Sequence, residues 1–368
     1  MWEFSWLVRR FGDEDEYRDW DRVLDELCER GYDCIRIDAF PHLVAEGADG
    51  SRNEIFRILP QNPRFPWGNH QLVEVEPRRS LLAFMTKARE RGLTLGLSTW
   101  FCDDKLHRRA GIRTPEDYAR IWGETLALLE AEGLLDCVAW VDLCNEFPLG
   151  LWAYGAYREI FGTHPLNVPR MMRPWSRRAR AAVQRYYDLA IPPLKARWPD
   201  LRFTFSVQHI GGREVRGLDT AAWDLVEPHV WLSEGGAFQV LSNQLGALLC
   251  LPGAIPVQAR VAAPLYRARR KAWLCELGRR MDLWADWAQD QGNLPLVTSE
   301  GWGPINYDDV TPGGHEWGWV KDVCGEAVGM AIDRGWLGTC TSNFAQPQFQ
   351  GMWRDVAWHR ELTDLIRG

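Results

Sequence analysis

The sequence lacks several patterns that mark large classes of protein. No uninterrupted apolar run is long enough to cross a bilayer, and no apolar segment follows a basic start at Met1, so neither a membrane span nor a secretory leader is predicted. The nine cysteines include no Cys-x-x-Cys pair, which argues against a zinc site, a redox motif or a disulfide framework. We therefore expect a cytoplasmic protein that has no metal and no other cofactor.

Positive charge is also in deficit. The chain has 43 basic and 50 acidic residues and a net charge of −7, which argues against a nucleic-acid surface. No internal repeat or low-complexity tract is present, so a repeat architecture is not expected. Tryptophan, in contrast, is abundant at 21 residues. Flat aromatic rings can stack on the apolar faces of sugars, so this enrichment is consistent with a carbohydrate partner.

The apolar segments predict eight strands that alternate with helical stretches. The expected strands are 2–8, 34–40, 93–99, 138–143, 201–207, 228–232, 296–299 and 337–342. In a chain of 368 residues this alternation predicts an α/β fold, a single (β/α)8 TIM barrel spanning residues 1–368. Residues 41–77 have no periodicity and are expected to form a long loop on the catalytic face. Residues 237–293 exceed one barrel repeat, which predicts a helical insertion or lid after strand six.

Two of the predicted strands end on a glutamate. The apolar run Val138–Leu143 leads to Asn145 and Glu146, and residues 296–299 lead to Glu300. Glu146 taken alone is explained equally well as a cap for the following segment. Because the carboxyl ends of parallel barrel strands meet at one mouth, we expect the two carboxyl groups to lie close together.

Paired carboxyl groups suit the hydrolysis of a glycosidic bond, in which one protonates the leaving oxygen and the other attacks or stabilises the sugar cation. At these residues the chain resembles the clan of retaining glycoside hydrolases that includes the family 5 cellulases, and more closely the "cellulase-like" proteins of that clan. The resemblance extends from Trp2 to the last helix. It implies that Glu146, at the end of strand four, is the acid/base and that Glu300, at the end of strand seven, is the nucleophile.

The resemblance also implies roles for residues near these two. Arg36 on strand two would hydrogen-bond the nucleophile and keep it ionised, and Asn145 would bind the sugar 2-hydroxyl. His229 and Trp231 end strand six, where family 5 enzymes commonly have His-x-Tyr. Since Trp231 replaces that tyrosine, Tyr307 is a candidate for the missing hydroxyl contact. A histidine in a strand is as often a buried structural group, so both interpretations of His229 remain open.

Further polar and aromatic residues are candidates for sugar contacts. Asn343 and Gln346, after strand eight, offer amides for several hydroxyls, although they could instead order their own loop. Trp67, Trp100 and Trp302 are candidates for stacking on sugar rings. Packing in the core is the alternative for each tryptophan.

The segment from Arg36 to His42 also resembles the Arg-x-Asp-Ala-x-x-His motif of the α-amylase family, whose aspartate is a nucleophile. That motif lies on strand four of its barrel, whereas this segment forms strand two. We therefore interpret the match as a coincidence and expect Asp38 and His42 to bind sugar hydroxyls or to brace Arg36.

Together these patterns predict a retaining β-glycosidase that acts by double displacement on a short oligosaccharide or small glycoside. One alternative is a sugar-binding barrel without activity, in which the departure at Trp231 reflects lost chemistry. A second is a metal-dependent enzyme such as a sugar isomerase, built from Asp38, His42, His229 and Glu300. The spacing of these four residues matches no compact metal motif.

Overall fold

The structure, a computed structural model, describes residues 1, 6–8, 16–62, 68–162, 174–209, 212–249, 251–307 and 316–368. Within them, parallel strands alternate with helices along the chain. The strands are β1 (Cys34–Asp38), β2 (Phe56–Ile58), β3 (Val73–Val75), β4 (Thr94–Ser98), β5 (Val138–Asp142), β6 (Phe203–Thr204), β7 (Val207–Gln208), β8 (Pro228–Trp231), β9 (Val297–Thr298), β10 (Gly301–Trp302) and β11 (Gly338–Thr339).

The parallel strands follow one another around an arc in chain order. They pair as β1-β4-β5-β6, as β7-β8-β10 and as β9-β11. Strands β6 and β7 are two parts of one barrel strand, as are β9 and β10, so the three groups join. Met1 extends the arc beyond β1, since its backbone bonds to Cys34 and Arg36. In the described part of the chain, no strand pairing closes the arc between β11 and Met1.

Helices connect the strands, and several begin with the caps that the sequence indicates. Thr114 and Asp117 form a reciprocal capping box at the start of helix α4 (Pro115–Ala131), with Pro115 as its first residue. The helices are α1 (Trp20–Glu29), α2 (Pro41–Val44), α3 (Pro77–Glu90), α4 (Pro115–Ala131), α5 (Tyr154–Phe161), α6 (Arg177–Arg197), α7 (Gly212–Val215), α8 (Gly236–Leu241), α9 (Gln244–Leu248), α10 (Ala254–Ala268), α11 (Arg270–Asp290), α12 (Trp317–Asp333), α13 (Gln350–Trp353) and α14 (Val356–Arg367).

Two general features bear on the expectations from composition. Among the helices described, none combines the length and hydropathy that a bilayer span requires. The eight cysteines in the described ranges are all free thiols.

The N-terminal segment differs from the predicted first strand. Residues 2–5 lie outside the described residues, and Trp6, Leu7 and Val8 form bends instead of a strand. All three side chains are buried. Their apolar character therefore reflects packing in the core, which does not by itself require strand pairing.

The prediction of a structureless loop over residues 41–77 is wrong in part. The segment contains α2 and an antiparallel hairpin formed by β2 and β3. Each hairpin strand has three residues, which is too short for a two-residue alternation of apolar and polar side chains to be recognised. Residues 63–67 lie outside the described part, and with them the predicted stacking residue Trp67.

Helices α8 to α11 occupy the region where a helical insertion was predicted. This region contacts the loop after strand seven, because the Asn306 amide donates to the carbonyl of Ala247 on α9 over 3.3 Å. Its function as a lid stays a prediction.

A close contact between β4 and β5 shapes the barrel interior below the site. Gly96 pairs with Trp140, and a Cβ atom at Gly96 would collide with the Trp140 indole. The glycine leaves room for the ring, whose Nε1 donates to Oε2 of Glu227 over 2.8 Å. The absence of a side chain at one strand position thus allows a half-buried indole to bind a buried carboxylate.

Candidate active site

Glu146 lies in a tight turn at the carboxyl end of β5. Its backbone has φ of +50°, a left-handed conformation that is uncommon for residues other than glycine and that occurs often at functional sites. The amide of Glu146 donates to Oγ of Ser206 over 2.9 Å. The next residue, Phe147, packs against Phe205 and Tyr186 with ring centroids 4.7 and 4.9 Å apart. The turn is therefore held by packing on one side and by a hydrogen bond on the other.

The buried carboxylate of Glu146 receives three N–H donors. Its Oε1 lies 3.0 Å from Nδ1 of His229. Its Oε2 accepts from the Gln208 amide over 2.8 Å and from the Trp152 indole over 3.3 Å. These contacts fix the orientation of the side chain at the barrel mouth.

Glu300 lies between β9 and β10 and faces the same point. Its Oε1 accepts from Nη1 of Arg36 over 2.9 Å, and its Oε2 lies 3.6 Å from Nδ1 of His229. One oxygen each from Glu146 and Glu300 and a ring nitrogen of His229 all lie within 4.8 Å of one another. The two glutamates paired from the sequence are thus brought together.

Arg36 is fully buried and binds Glu300 from below. It also forms ion pairs with Asp142 over 2.5 Å and with Glu227 over 3.1 Å. Burial opposes a charge on Arg36, but its three carboxylate partners raise the pKa above its usual value, so the guanidinium stays charged. A charged, multiply bonded arginine can hold Glu300 in one orientation.

Glu227 is a further buried carboxylate that pairs with Arg36. Burial by itself would raise its pKa, but Arg36 and His229 lower it below the usual value. Its Oε1 also accepts from the Ser299 hydroxyl over 2.6 Å. Glu227 is therefore an ionised counter-charge for the two cations.

His229 lies between the two glutamates and is fully buried. Burial lowers its pKa, but Glu300, Glu146 and Glu227 outweigh that effect and raise the pKa to about 10. The imidazole is therefore a cation at neutral pH, and both of its nitrogens are donors. The sequence left open whether His229 is a site residue or a buried structural group. The structure brings His229 into the site.

The pKa of Glu300 is also shifted. Burial raises this pKa, and the neighbouring Glu146 adds to the effect, whereas His229 and Arg36 oppose it, with a net value of about 7. Glu300 therefore ionises close to neutral pH. A carboxyl group that lies close to a second carboxyl group is expected to have a raised pKa.

The same three side chains are the group of possible metal ligands found among the described residues: Glu146, His229 and Glu300. A metal would require a neutral imidazole, whereas His229 is cationic at neutral pH. It would also lie beside the Arg36 guanidinium, which already binds Glu300. The charges present fit a metal ion poorly, and Asp38 and His42 do not join the group.

Three predicted binding residues, Asn145, Trp100 and Asp38, lie around Arg36 and β1. Asn145 accepts from Arg36 over 2.7 Å, and the Trp100 ring lies 4.6 Å from the Arg36 guanidinium carbon. The oxygens of Asp38 accept from the backbone amides of Phe40 and Trp100, and burial raises the pKa of Asp38 to about 7. Asp38 thereby joins the ends of two strands.

His42 bonds through Nε2 to a backbone carbonyl, that of Cys102, over 3.0 Å, and burial lowers its pKa to about 3. Its ring packs near Phe101, with centroids 5.2 Å apart. The imidazole is neutral and its described contacts are structural.

The aromatic candidates at the ends of strands six and seven are fully enclosed. Trp302 donates to the carbonyl of Cys340 over 3.2 Å and packs near Trp336. Trp231 is 3% exposed. The Tyr307 hydroxyl bonds to the backbone of Glu316 at the start of α12, and it accepts from Trp319. For Trp302, these contacts match the core-packing alternative.

The polar candidates after β11 are buried in their loop. The backbone N–H of Asn343 donates to the carbonyl of Gly301, and the Gln346 side chain accepts from Gln348 over 2.6 Å. The Gln346 contact matches the alternative in which this residue orders the loop.

Several residues of the site were not recognised from the sequence. Asp142 and Glu227 are charged positions within apolar strands, and Glu227 is two residues before His229, on the same face of its strand. That alternation was an available signal. Ser206, Gln208 and Trp152 carry no comparable local signal, because only the fold brings them to Glu146.

The fold and the paired glutamates define a barrel of the glycoside hydrolase type. PbGH5A from Prevotella bryantii B14, a glycoside hydrolase family 5 enzyme solved with a xyloglucan tetradecasaccharide, is 13% identical, with a TM-score of 0.53 over 93% of this chain and 86% of that chain. ZgEngAGH5_4, solved with a cellotriose, is 11% identical, with a TM-score of 0.51 over 98% and 93%. At these identities the likeness is one of fold, and it confirms the predicted TIM barrel.

The chain belongs to the family described as sugar-binding cellulase-like, whose profile matches residues 1–367. A "putative glycoside hydrolase" from Parabacteroides distasonis ATCC 8503 is 33% identical, with a TM-score of 0.84 over 99% of this chain and 91% of that chain. No curated protein sequence matches the chain significantly. Family and fold together support a glycosidase or sugar-binding role, and they confirm the resemblance drawn from the sequence.

Proposed function

We propose that the protein is a retaining β-glycosidase in which Glu300 attacks the anomeric carbon and Glu146 is the acid/base. The separation of the two carboxyl groups carries this proposal, since one oxygen of each lies within 4.8 Å of the other. Retaining enzymes place their carboxyl groups about 5–5.5 Å apart, whereas inverting enzymes need about 6.5–9.5 Å to admit a water. A closest approach of this size supports the retaining geometry.

The surroundings of the two glutamates support the assignment of roles. Arg36 donates to Glu300 over 2.9 Å, which favours the ionised form that a nucleophile needs. Asn145 accepts from the same guanidinium, so its amide N–H₂ group is left to donate to a sugar hydroxyl. Glu146 lies across the site, where a leaving oxygen or an attacking water would approach.

The proposed substrate is a short β-linked oligosaccharide or a small β-glycoside. Cellotriose and xyloglucan, the ligands of two fold relatives, have β-linked glucose backbones. The two carboxyl groups are buried, with Glu146 7% and Glu300 5% exposed. A site this enclosed favours one or two sugar units over a long polymer. Release of mixed-length products from a long glucan would contradict this part of the proposal.

The two roles can be separated with azide. Glu146→Ala should turn over an aryl β-glycoside slowly, and azide should restore the rate and yield the β-glycosyl azide, because azide replaces the water that Glu146 activates. Glu300→Ala should be inactive, and any azide product should have the α configuration. A Glu146→Ala variant that is folded, inactive and not rescued would contradict the assignment.

A sugar-binding protein without activity is the second candidate, and the family description favours it. A folded protein that binds β-glycosides in calorimetry but hydrolyses none would support this candidate. A metal-dependent isomerase is disfavoured by the cationic partners of Glu146 and Glu300. Metal analysis of the purified protein tests that alternative directly.

A further inference from the structure

The helical insertion after strand six exposes a large share of the aliphatic side chains that reach the surface. Sixteen large aliphatic side chains are exposed in the described part of the chain, and seven of them fall within residues 240–261. We call these seven the insertion patch: Val240, Leu241, Leu245, Leu249, Leu251, Val257 and Val261. Single exposed apolar residues are ordinary, whereas a cluster marks a surface that binds another molecule.

The same helices turn polar side chains inward. Gln239 on α8, Gln244 on α9 and Gln258 on α10 are all buried, and the Gln258 amide donates to Oε1 of Gln244 over 2.5 Å. A surface helix of a soluble protein ordinarily places its apolar stripe inward and its polar residues outward. At these positions the insertion has the reverse arrangement, so its outer face suits contact with another apolar surface.

The patch residues lie on helices that pack against each other. Two pairs are one helical turn apart, so that each pair shares one side of its helix: Leu245 with Leu249, and Val257 with Val261. Helices α9 and α10 approach closely, because a Cβ atom at Gly246 would lie 3.3 Å from the Cβ atom of Ala254. The two pairs therefore belong to one compact unit.

The charge of the insertion indicates what kind of partner fits it. Residues 235–259 contain no charged side chain, although 25% of the whole chain is charged. A partner that is recognised by its charge finds no counter-charge there. An anionic lipid surface is bound by helices whose polar face is rich in lysine and arginine, whereas the polar residues of this segment are glutamine, asparagine and serine. Two copies of an uncharged face, in contrast, meet without repulsion even though each chain has a net charge of −7.

The size of the insertion patch also matches a contact between two copies. Its seven residues are 38–66% exposed, which together equals between three and four fully exposed residues and an area on the order of 500 Å². A standard interface buries about 800 Å² on each partner, so these residues alone supply more than half of one face. Two patches in contact bury about 1,000 Å², the area that a specific interface needs.

We propose that the protein forms a twofold symmetric dimer in which the insertion patch of one chain packs against the insertion patch of a second copy. Because both chains use the same surface in such a contact, association stops at two chains. This inference gives the insertion a role in assembly, and it does not depend on the proposed glycosidase activity.

The oligomeric state of the full chain tests the proposal. Sedimentation equilibrium at about 10 μM protein should give about twice the 42.4 kDa of one chain, as expected for a Kd in the micromolar range or below. The mass of a single chain at about 100 μM would overturn the proposal.

Two substitutions place a charge on the insertion patch. Leu249→Lys and Val240→Lys should each raise the dimer Kd at least about a hundredfold, because like charges then face each other across an apolar contact. These two side chains are 63% and 66% exposed, so both variants should keep the far-UV circular dichroism spectrum of the native chain. A dimer that both folded variants retain would contradict the proposed interface.

Leu365→Lys is the matched control, since this leucine is 49% exposed on α14 and the substitution adds the same charge. It should leave the dimer Kd unchanged, and an equal loss of dimer in this variant would contradict the assignment to the insertion. Association beyond two chains that Leu249→Lys abolishes would contradict the twofold closure. Vesicles of phosphatidylcholine and phosphatidylglycerol test the remaining occupant, because a monomer that sediments with them through Leu249 would overturn the proposal in favour of a lipid surface.

Discussion

Replacement of Arg36 by methionine should destabilise the protein strongly, because Arg36 is the buried counter-ion of three carboxylates. It lies 2.5 Å from Asp142, 3.1 Å from Glu227 and 2.9 Å from Glu300. Removing one partner of a buried ion pair leaves uncompensated charge and costs about 3–5 kcal/mol. We expect a loss of that size in the free energy of unfolding at pH 8, measured by urea denaturation.

The loss should depend on pH in a defined direction. In the native protein the pKa of Glu227 is lowered, so its ion pair stabilises the fold above the usual carboxyl pKa and that stabilisation is lost as the pH falls. Without Arg36, burial should raise the pKa of Glu227, so its charge becomes a cost that protonation removes. The Arg36→Met variant should therefore lose less stability at pH 5 than at pH 8.

Two further variants make this argument testable. Adding Glu227→Gln to Arg36→Met should recover part of the loss, since the two residues are coupled. Arg57→Met, which breaks an exposed pair with Glu74, should cost less than about 1 kcal/mol. A loss at Arg36 below about 1 kcal/mol, with no dependence on pH and no coupling to Glu227, would refute the reasoning.

Three other outcomes follow from the structure. Glycosidase kcat/KM should fall as the pH drops below about 7. Burial raises the pKa of Glu300 to that value, and the protonated carboxyl group cannot attack. A pH–rate profile with its maximum at pH 5 would contradict this prediction. Gly96→Val should lower the melting temperature sharply, since the valine side chain would collide with Trp140. Gly329→Ala is the control, because it lies at an open position of α12. It should leave the melting temperature unchanged or raise it. Phe147→Ala should lower the free energy of unfolding in urea by about 3–5 kcal/mol. Because the Phe147 ring packs beside the turn that carries Glu146, the variant should also lower kcat, with a smaller change in KM. An unchanged kcat would contradict the link between this packing and catalysis.

The fold was predictable from the sequence mainly because its barrel strands are apolar runs separated by helices, some of which begin at recognisable caps. Apolar runs such as Val138–Val141 mark strands, and the Thr114 cap marks the start of α4. The hairpin of β2 and β3 was missed because three-residue strands show no usable periodicity. The bends at Trp6 were misread because burial and strand pairing give the same apolar signal.

The site was predictable where local sequence and topology coincide. Glu146 and Glu300 each follow a buried strand, so the barrel topology alone brings them to one mouth. Asp38 shows the limit of such reasoning. It also ends a buried strand and was expected to bind sugar hydroxyls or to brace Arg36, but its oxygens accept hydrogen bonds from two backbone amides. Gln208 and Trp152 reach Glu146 only through the folded backbone, and no spacing in the sequence records that proximity.

The most direct test of the proposed retaining mechanism is the intact mass of the protein after incubation with 2-deoxy-2-fluoro β-glycosides that carry a dinitrophenyl leaving group. The fluorine slows hydrolysis of the glycosyl-enzyme, so one sugar should add to each chain, and peptide mapping should place it on Glu300. The Glu300→Gln variant should gain no mass. Folded protein that turns over the parent dinitrophenyl glycoside but gains no mass, or that carries the sugar on a residue other than Glu300, would contradict the mechanism.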